Sequence, residues 1–209
     1  MSARSRWSLR NGRFCFISGR PAPSIYEVLD GTLMIYRVLA DGRRQIVDLA
    51  LSGSLCGFSR DNTHEYSCEA LLVSTVAVYE RATMAASCQL GARLSQKMEQ
   101  KVCALAEHVV LLGRQTTEER LANFLVQCAQ AWRRQGDDKA AVFHIPMTRV
   151  EIGDYLGMSL ETVSRGVADL ERRGLLQTGS RQGEMRVMDL AALSQARRKP
   201  NPRRKHAEN

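Results

Sequence analysis

Residues 147–176, MTRVEIGDYLGMSLETVSRGVADLERRGLL, decide how the C-terminal part of this 209-residue chain folds. Thr148 and Glu151 have the spacing of a capping box, which predicts a helix beginning directly after the threonine. Gly157 offers the left-handed backbone conformation of a sharp turn, and Ser159 is a preferred N-cap for a second helix. The stretch therefore predicts two short helices joined by a tight turn.

The second of these helices has two distinct faces. Val163, Val167 and Leu170 recur at helical spacing and predict its buried side. The opposite side carries polar residues close to the helix start, namely Glu161, Thr162, Ser164 and Arg165. In a helix-turn-helix, these early residues face base edges in the major groove. The alternative is an ordinary helical hairpin in a core, whose polar residues are merely solvated.

The segment after the second helix favours DNA binding. Residues 175–178 and 185–188 are typical of strands, and the Gly, Ser, Arg and Gln residues between them indicate a turn. A small hairpin at this place is the wing of a winged helix. The candidate DNA-binding residues are Thr148, Ser159, Glu161, Thr162, Ser164 and Arg165.

Two stretches carry a resemblance to a known family. TTEERLANFL at 116–125 and the stretch at 147–176 resemble the Crp/Fnr family of bacterial transcription regulators. The Glu-Thr-Val-Ser-Arg string at 161–165 is similar to the Fnr and FixK branch, and the similarity runs from about residue 14 to about residue 193.

The resemblance implies which residues read DNA and which sequence they read. The matching Glu161, Ser164 and Arg165 would read a TTGAT-type half-site in an inverted repeat resembling TTGAT-N4-ATCAA. The chemistry suits these roles, because arginine donates two bonds to a guanine edge, glutamate accepts from cytosine N4, and serine serves either.

The N-terminal half has turn dipeptides between short β-rich stretches, a pattern typical of an antiparallel β domain. Asp30-Gly31 and Asp41-Gly42 are strong turn dipeptides. Short β-rich stretches lie at 25–29, 33–38, 45–49 and 71–79, which predicts a sandwich or barrel. The family resemblance implies a jelly-roll-like β-roll of the cyclic-nucleotide-binding type.

The residues that such a β-roll uses to bind a cyclic nucleotide are missing. The resemblance implies a Gly-Glu-x-x-Gly turn and an arginine shortly after it. Here residues 53–57 read Gly-Ser-Leu-Cys-Gly, and residues 61–80 contain neither Arg nor Lys. Glu65 falls near the position of the phosphate-binding arginine, where a carboxylate would repel phosphate. We therefore expect no cyclic nucleotide and no cofactor.

Six cysteines occur at positions 15, 56, 68, 88, 103 and 128, without any C-x-x-C spacing. The N-terminus has only Cys15, which argues against the iron–sulfur cluster of the Fnr scheme. Cys68 and Cys128 are expected in the core. Cys56, in a glycine-flanked turn, is expected to be the most exposed thiol and is the candidate redox-sensitive site. A haem-sensing alternative pairs Cys56 with His64, but the spacing does not match, and we expect His64 on a surface loop.

A long helix is predicted over about 86–112. Its apolar residues recur at steps of four and three. One interpretation is an amphipathic helix lying on its own domain; the resemblance instead implies a parallel dimerisation helix. The candidate dimer-interface residues are Leu94, Met98, Val102, Leu105, Val109 and Leu112.

Composition limits the alternatives. The net charge of +8 is concentrated at the ends, because residues 14–196 carry a net charge of −1. No apolar run is long enough to span a membrane, so we expect a cytoplasmic protein. A cupin-like metal enzyme is the competing class, and it would need several histidines and carboxylates in one site. The four histidines of this chain fall in four different predicted elements, and no catalytic motif occurs.

The sequence thus predicts an α+β protein that is not an enzyme. It comprises a basic arm (1–13), a β-roll (14–86), a dimerisation helix (87–113), a winged helix-turn-helix domain (114–194) and a basic tail (195–209). We expect a homodimer that binds double-stranded DNA and recruits RNA polymerase as an activator; a ligand-sensing or haem-sensing regulator of the same family remains an alternative.

Overall fold

The computed structural model describes residues 5–84, 88–132, 141–179 and 183–196. The chain divides into two compact units, residues 1–108 and 109–209. No helix in the described ranges is both long and apolar enough to cross a lipid bilayer.

The first unit is built from antiparallel strands. They are β1 (Ser5–Leu9), β2 (Phe14–Phe16), β3 (Ser24–Asp30), β4 (Thr32–Val38), β5 (Arg44–Leu51), β6 (Leu55–Cys56), β7 (Ser67–Ala70) and β8 (Ser74–Glu80). They form two four-stranded sheets, in the orders β1-β8-β3-β6 and β2-β7-β4-β5. Inward side chains of both sheets share one hydrophobic core. The predicted jelly-roll-like β-roll is confirmed.

The two turn dipeptides lie where the sequence predicts them. Gly31 joins β3 to β4 with φ +90°, and Gly42 lies in the β4–β5 hairpin with φ +82°. At Gly31 an added Cβ would also lie 2.7 Å from the Cα of Ser74, so the site excludes any side chain. The backbone N–H of Thr32 donates to Ser74 Oγ at 3.1 Å, which fixes this crossing.

The prediction of a basic arm over residues 1–13 is wrong for Ser5–Leu9. Ser5–Leu9 is strand β1, paired with β8 in continuous register from Ser5↔Val78 to Leu9↔Ser74. Only Leu9 of this strand is buried. An edge strand held by backbone hydrogen bonds needs little apolar patterning, so the polar, arginine-rich sequence did not reveal it.

Helices follow the last strand, namely α1 (Arg81–Met84) and α2 (Cys88–Arg114). Leu94 of α2 is 1% exposed and packs against Ile25 and Leu55 of the β-roll. Its assignment to the dimer interface is therefore wrong, because its side chain is already covered by its own chain. The residues that follow it in the predicted stripe, Met98 and Val102, are exposed.

A buried carboxylate holds α2 on the β-roll. Glu27 of β3 is 4% exposed and accepts hydrogen bonds from Tyr79 Oη at 2.8 Å and from Arg93 Nη2 at 2.6 Å. Lys97 Nζ lies 3.1 Å from the same carboxylate and also donates to the carbonyl of Gly53. Burial acts to raise the pKa of Glu27, but the bonds from Tyr79, Lys97 and Arg93 outweigh it and hold that pKa below its usual value.

The second unit combines helices with a small sheet. Its elements are α3 (Thr117–Trp132), β9 (Ala141–His144), α4 (Arg149–Leu156), α5 (Leu160–Arg172), β10 (Leu176–Thr178), β11 (Glu184–Val187) and α6 (Leu190–Ala196). The sheet order is β10-β11-β9, which confirms the predicted hairpin after α5. The helix α3 also begins with a capping box, since Thr116 and Glu119 exchange hydrogen bonds.

The turn between α4 and α5 is packed against α4 itself. An added Cβ at Gly153 would lie 2.5 Å from the carbonyl oxygen of Met158. The backbone N–H of Met158 donates to the carbonyl of Gly153 at 2.9 Å. Gly157 supplies the left-handed residue, with φ +64°. The turn therefore depends on two glycines for different reasons, space at one and backbone conformation at the other.

Replacing Glu27 by glutamine should lower the free energy of unfolding by about 1 to 3 kcal/mol at neutral pH, because charge-assisted bonds become weaker ones. The pKa of Glu27 is lowered by folding, so its contribution exists above the unfolded-state pKa and is lost as the pH falls through the folded-state pKa. Urea unfolding at several pH values measures this. The difference between Glu27→Gln and wild type should shrink towards acid pH. Asp41→Asn, on the exposed pair with Arg43, is the matched control and should change little; an equal loss in both variants would contradict the role of Glu27.

Replacing Gly153 by alanine should destabilise the second unit by about 1 to 3 kcal/mol, because the methyl group meets backbone that cannot move freely. Gly113→Ala is the control: its Cβ meets nothing within 4 Å, so a helical alanine there should be neutral or stabilising. Thermal unfolding compares the two variants. A Gly153→Ala protein as stable as Gly113→Ala would show that the turn can widen.

Candidate DNA-binding surface

The helix α4 begins with a complete capping box, as predicted. The backbone N–H of Glu151 donates to Thr148 Oγ1 at 3.2 Å, and the backbone N–H of Thr148 donates to Glu151 Oε2 at 2.7 Å. Gly157 ends the helix in the left-handed conformation. Two of the four unsatisfied N–H groups at the helix start are thus bound locally, which fixes where α4 begins.

The start of α5 is fixed by two hydroxyl groups. Ser159 Oγ accepts from the backbone N–H of Thr162 at 3.2 Å and lies 3.0 Å from Thr162 Oγ1. Ser159 is therefore the N-cap that the sequence predicts. Because the two hydroxyls bind each other, they serve first to position the helix.

Three polar residues in the first two turns of α5 lie on one face of the helix. Val163, Val167 and Leu170 are fully buried on the inner side, as predicted. Glu161 and Arg165 are exposed and Ser164 is half-buried; their spacing puts them on one face of the first two turns. Within the described residues, no hydrogen bond or ion pair occupies these three side chains. Donor and acceptor groups on this face are therefore available to a ligand.

Other side chains, not singled out from the sequence, hold α3 against α4 and α5 against the wing. Arg120 donates to the carbonyls of Gln115 and Leu156, each at 3.1 Å, so it satisfies the C-terminal end of α4. Glu171 accepts from the backbone N–H of Thr178 at 2.9 Å and from its hydroxyl at 2.6 Å, and these bonds lower the pKa of Glu171. The bond between Arg120 and Leu156 joins residues 36 positions apart, and that between Thr178 and Glu171 joins residues 7 positions apart. No local pattern in the sequence marks them.

Aromatic rings pack against one another inside the β-roll. Phe16 stacks on His64 with ring centroids 4.1 Å apart, and the centroids of Phe16 and Tyr26 are 5.5 Å apart. Glu65, near the expected phosphate position, brings negative charge and lies 3.6 Å from exposed Arg60. That the β-roll binds no cyclic nucleotide stays a prediction from the glutamate and arginine that its sequence lacks at 53–57 and 61–80.

The structure corrects the predictions for Cys56 and His64. Cys56 is 2% exposed, on strand β6 opposite Tyr26, so it is not the most accessible thiol. The flanking Gly57 makes the turn, but the strand pairing turns the thiol inward. His64, predicted on a surface loop, is 2% exposed because its ring packs on Phe16. Cys68 and Cys128 are buried as predicted, Cys103 is exposed, and Cys88 lies among residues whose side chains are not described.

Neither alternative from the sequence gains support. The two haem-ligand candidates, Cys56 and His64, are each 2% exposed, and the His64 ring stacks on Phe16. Among the described residues, no three His, Cys, Asp or Glu side chains form a group that could hold a metal ion.

Comparison with known proteins agrees with this architecture. Residues 119–196 match the model of the Crp-like helix-turn-helix domain, and residues 6–89 match that of the cyclic nucleotide-binding domain. The chain is 35% identical over 173 residues to the nitrogen fixation regulation protein FixK of Rhizobium meliloti, covering 79% of this chain and 74% of the relative. It is 31% identical over 191 residues to the transcriptional activator protein anr of Pseudomonas aeruginosa, covering 88% and 77%.

A solved structure gives the same result. FixK2 from Bradyrhizobium japonicum superposes with a TM-score of 0.81 at 28% identity, covering 94% of this chain and 98% of that one. The matches span both units, including the strand β1 that the sequence did not reveal. The β-roll, the long helix and the winged helix-turn-helix thus occur in the order of these relatives, and the chain belongs to the Crp/Fnr family of DNA-binding transcription regulators, as a member of FixK type.

Proposed function

We propose that the protein is a homodimeric transcription activator that binds an inverted repeat resembling TTGAT-N4-ATCAA. The observation that carries this proposal is the free polar face of α5, on which Glu161, Ser164 and Arg165 have no partner among the described residues. Unpaired donors and acceptors at the start of such a helix are suited to base edges in the major groove.

Each residue has a distinct role in this proposal. Arg165 donates two hydrogen bonds to the O6 and N7 atoms of a guanine, and Glu161 accepts from the N4 amino group of a cytosine. Ser164, half-buried beside them, donates or accepts according to the base. Thr148, Ser159 and Thr162 belong to the interface as positioning residues, because their hydroxyls fix the starts of α4 and α5.

The homodimer is supported by an apolar stripe on α2. Met98, Val102, Leu105 and Val109 are 42%, 65%, 38% and 67% exposed, and their spacing of four and three puts them on one side of the helix. Leu112 is only partly covered and continues the stripe. A parallel pairing of two such helices buries these side chains and presents two recognition helices to an inverted repeat.

An activator acts where its operator and RNA polymerase meet, so this function places the protein in the cytoplasm with RNA polymerase as a partner. The relative from Pseudomonas aeruginosa is named a transcriptional activator. Because the β-roll sequence lacks the expected glutamate at 53–57 and any arginine at 61–80, we propose that the protein binds its operator without a cyclic nucleotide.

Replacing Arg165 by alanine should weaken binding to the operator by about 1 to 3 kcal/mol and relax the preference at one base pair of each half-site. Fluorescence anisotropy without added nucleotide, on the operator and on duplexes changed at one position, measures both effects. Arg172→Ala is the control, since Arg172 is exposed in the last turn of α5 and pairs with Asp169. Equal weakening on every duplex would assign Arg165 to phosphate contact instead.

Replacing Val102 by glutamate should convert the protein to monomers, because a carboxylate would enter the apolar seam between the two helices. Sedimentation velocity measures the mass, and operator binding should fall with it. Val73→Glu is the matched control: Val73 is 66% exposed, like Val102 at 65%, but it lies in a loop of the β-roll. A Val102→Glu protein that remains a full dimer would show that the subunits meet elsewhere.

A further inference from the structure

Three thiols meet in the core of the β-roll, where the two sheets face each other. Cys15 and Cys68 lie on neighbouring strands of one sheet, and Cys56 lies on the other sheet. They are 7%, 0% and 2% exposed and belong to the same hydrophobic cluster. The pairing of β2 with β7 shifts register between Phe14 and Phe16, so Cys15 lies at this irregularity. All three belong to this one core cluster, and the pKa of each thiol depends on the other two.

This arrangement favours one thiolate among two thiols. Hydrogen bonds from Cys56 and Cys68 lower the pKa of Cys15 to about 5, although burial acts in the opposite direction. The pKa of Cys56 is raised by its bond to Cys15, and that of Cys68 by burial. Cys128, a solitary core thiol, shows the ordinary behaviour, since burial raises its pKa well above the usual value. The cluster therefore stores a nucleophile that a single buried cysteine would not provide.

The imidazole of His64, close to the thiol cluster in the same core, has a nitrogen without a hydrogen-bond partner among the described residues. The Nδ1 atom of His64 is buried and forms no hydrogen bond within the described residues. The ring stacks on Phe16, the neighbour of Cys15, and burial lowers the pKa of His64, so the imidazole is neutral at neutral pH. An unsatisfied buried nitrogen costs free energy and usually has a reason. A small molecule with a hydroxyl group, arriving at Cys15, would supply the missing partner.

We propose that Cys15, Cys56 and Cys68, with His64, form a redox site that reacts with hydroperoxides. The Cys15 thiolate attacks one peroxide oxygen; the O–O bond breaks, an S–O bond forms, and the other oxygen leaves as water after taking a proton. The thiol of Cys56 then attacks the sulfenic sulfur, which forms the disulfide and releases a second water. Two thiols and one hydrogen peroxide thus yield one disulfide and two waters.

Access and pairing follow from the fold. Cys15 lies on β2, the edge strand of its sheet, directly after exposed Phe14, and at 7% it is the most exposed of the three thiols, so an oxidant would reach it first. Cys56 is the partner because its strand β6 has only two residues and is followed by Gly57, which leaves it the freer of the two thiols to move. The resulting disulfide would join the two sheets.

The consequence for DNA binding rests on the proposed function. Leu55, the neighbour of Cys56 on β6, packs against Leu94 of α2. A disulfide that pulls β6 towards the opposite sheet would disturb this contact, beside the Glu27 anchor of the same helix. We expect oxidation to change operator affinity through the position of α2.

The experiment treats the full-length protein with hydrogen peroxide, blocks the remaining thiols with an alkylating reagent, and maps disulfides by mass spectrometry. The expected result is a Cys15–Cys56 disulfide that dithiothreitol reverses. An absence of any disulfide at Cys15 under conditions that oxidise exposed Cys103 would overturn the proposal, as would a disulfide between other residues. This measurement on the wild-type protein needs no variant and does not depend on DNA binding, so it separates failure of the redox site from failure of the proposed function.

Variants then test the roles. Cys15→Ala should abolish peroxide-dependent disulfide formation and the response of operator affinity, which we expect to change at least fivefold in the wild type on oxidation. Cys128→Ser, a core thiol outside the cluster, should retain both. His64→Phe, which keeps the stacking but removes the nitrogen, should slow disulfide formation severalfold. Wild-type rates in Cys15→Ala, or a disulfide that leaves operator affinity unchanged, would contradict the proposal.

Discussion

The carboxylate of Glu27 is the constraint on which the geometry of the long helix depends. A carboxylate this deeply buried is costly unless donors surround it, and Tyr79, Arg93 and Lys97 supply them. Two of the donors come from α2, so the ion pairs and the packing of Leu94 hold one face of the helix against the β-roll. Lys101 adds a pair with Asp48 one turn later.

Anchoring one face of α2 determines what the other face presents. The basic residues at 93, 97 and 101 follow the side that lies on the β-roll, and Met98, Val102 and Leu105 follow the side that is exposed. The apolar stripe seen in the sequence is thus divided: its first member is used within the chain, and the following ones stay uncovered. A stripe of exposed aliphatic side chains on a long helix is suited to a second copy of the same helix, which is why the homodimer is part of our proposal.

The helices α4 and α5 and the interior of the β-roll differ in how their side chains are used. In α4 and α5, the hydroxyls of Thr148 and Ser159 satisfy helix starts, which leaves the next polar residues of α5 unoccupied. Inside the β-roll, aromatic rings and thiols occupy the space between the sheets. The domain thus matches the cyclic nucleotide-binding domain, and three thiols and one imidazole lie buried inside it.

Features that depend on residues a few positions apart could be predicted from the sequence. The capping boxes, the turns at Gly157 and Gly31, the hairpin at Gly42 and the buried face of α5 all follow from local spacing, and the structure contains each of them. The free face of α5 could be predicted for the same reason, although its contacts with bases stay a proposal.

Which surfaces are covered could be learned only from the folded chain. Strand β1 exists because its backbone pairs with β8, about 70 positions later, and Leu94 is buried because Ile25 and Leu55 meet it. The glycine beside Cys56 led to the prediction of an exposed thiol, but the pairing of β6 with β3 places Cys56 in the same core as Cys15 and Cys68. Burial is a property of contacts between distant parts of the chain, whereas caps and turns are set by neighbouring residues; the first therefore needs the folded structure, and the second is readable from the sequence.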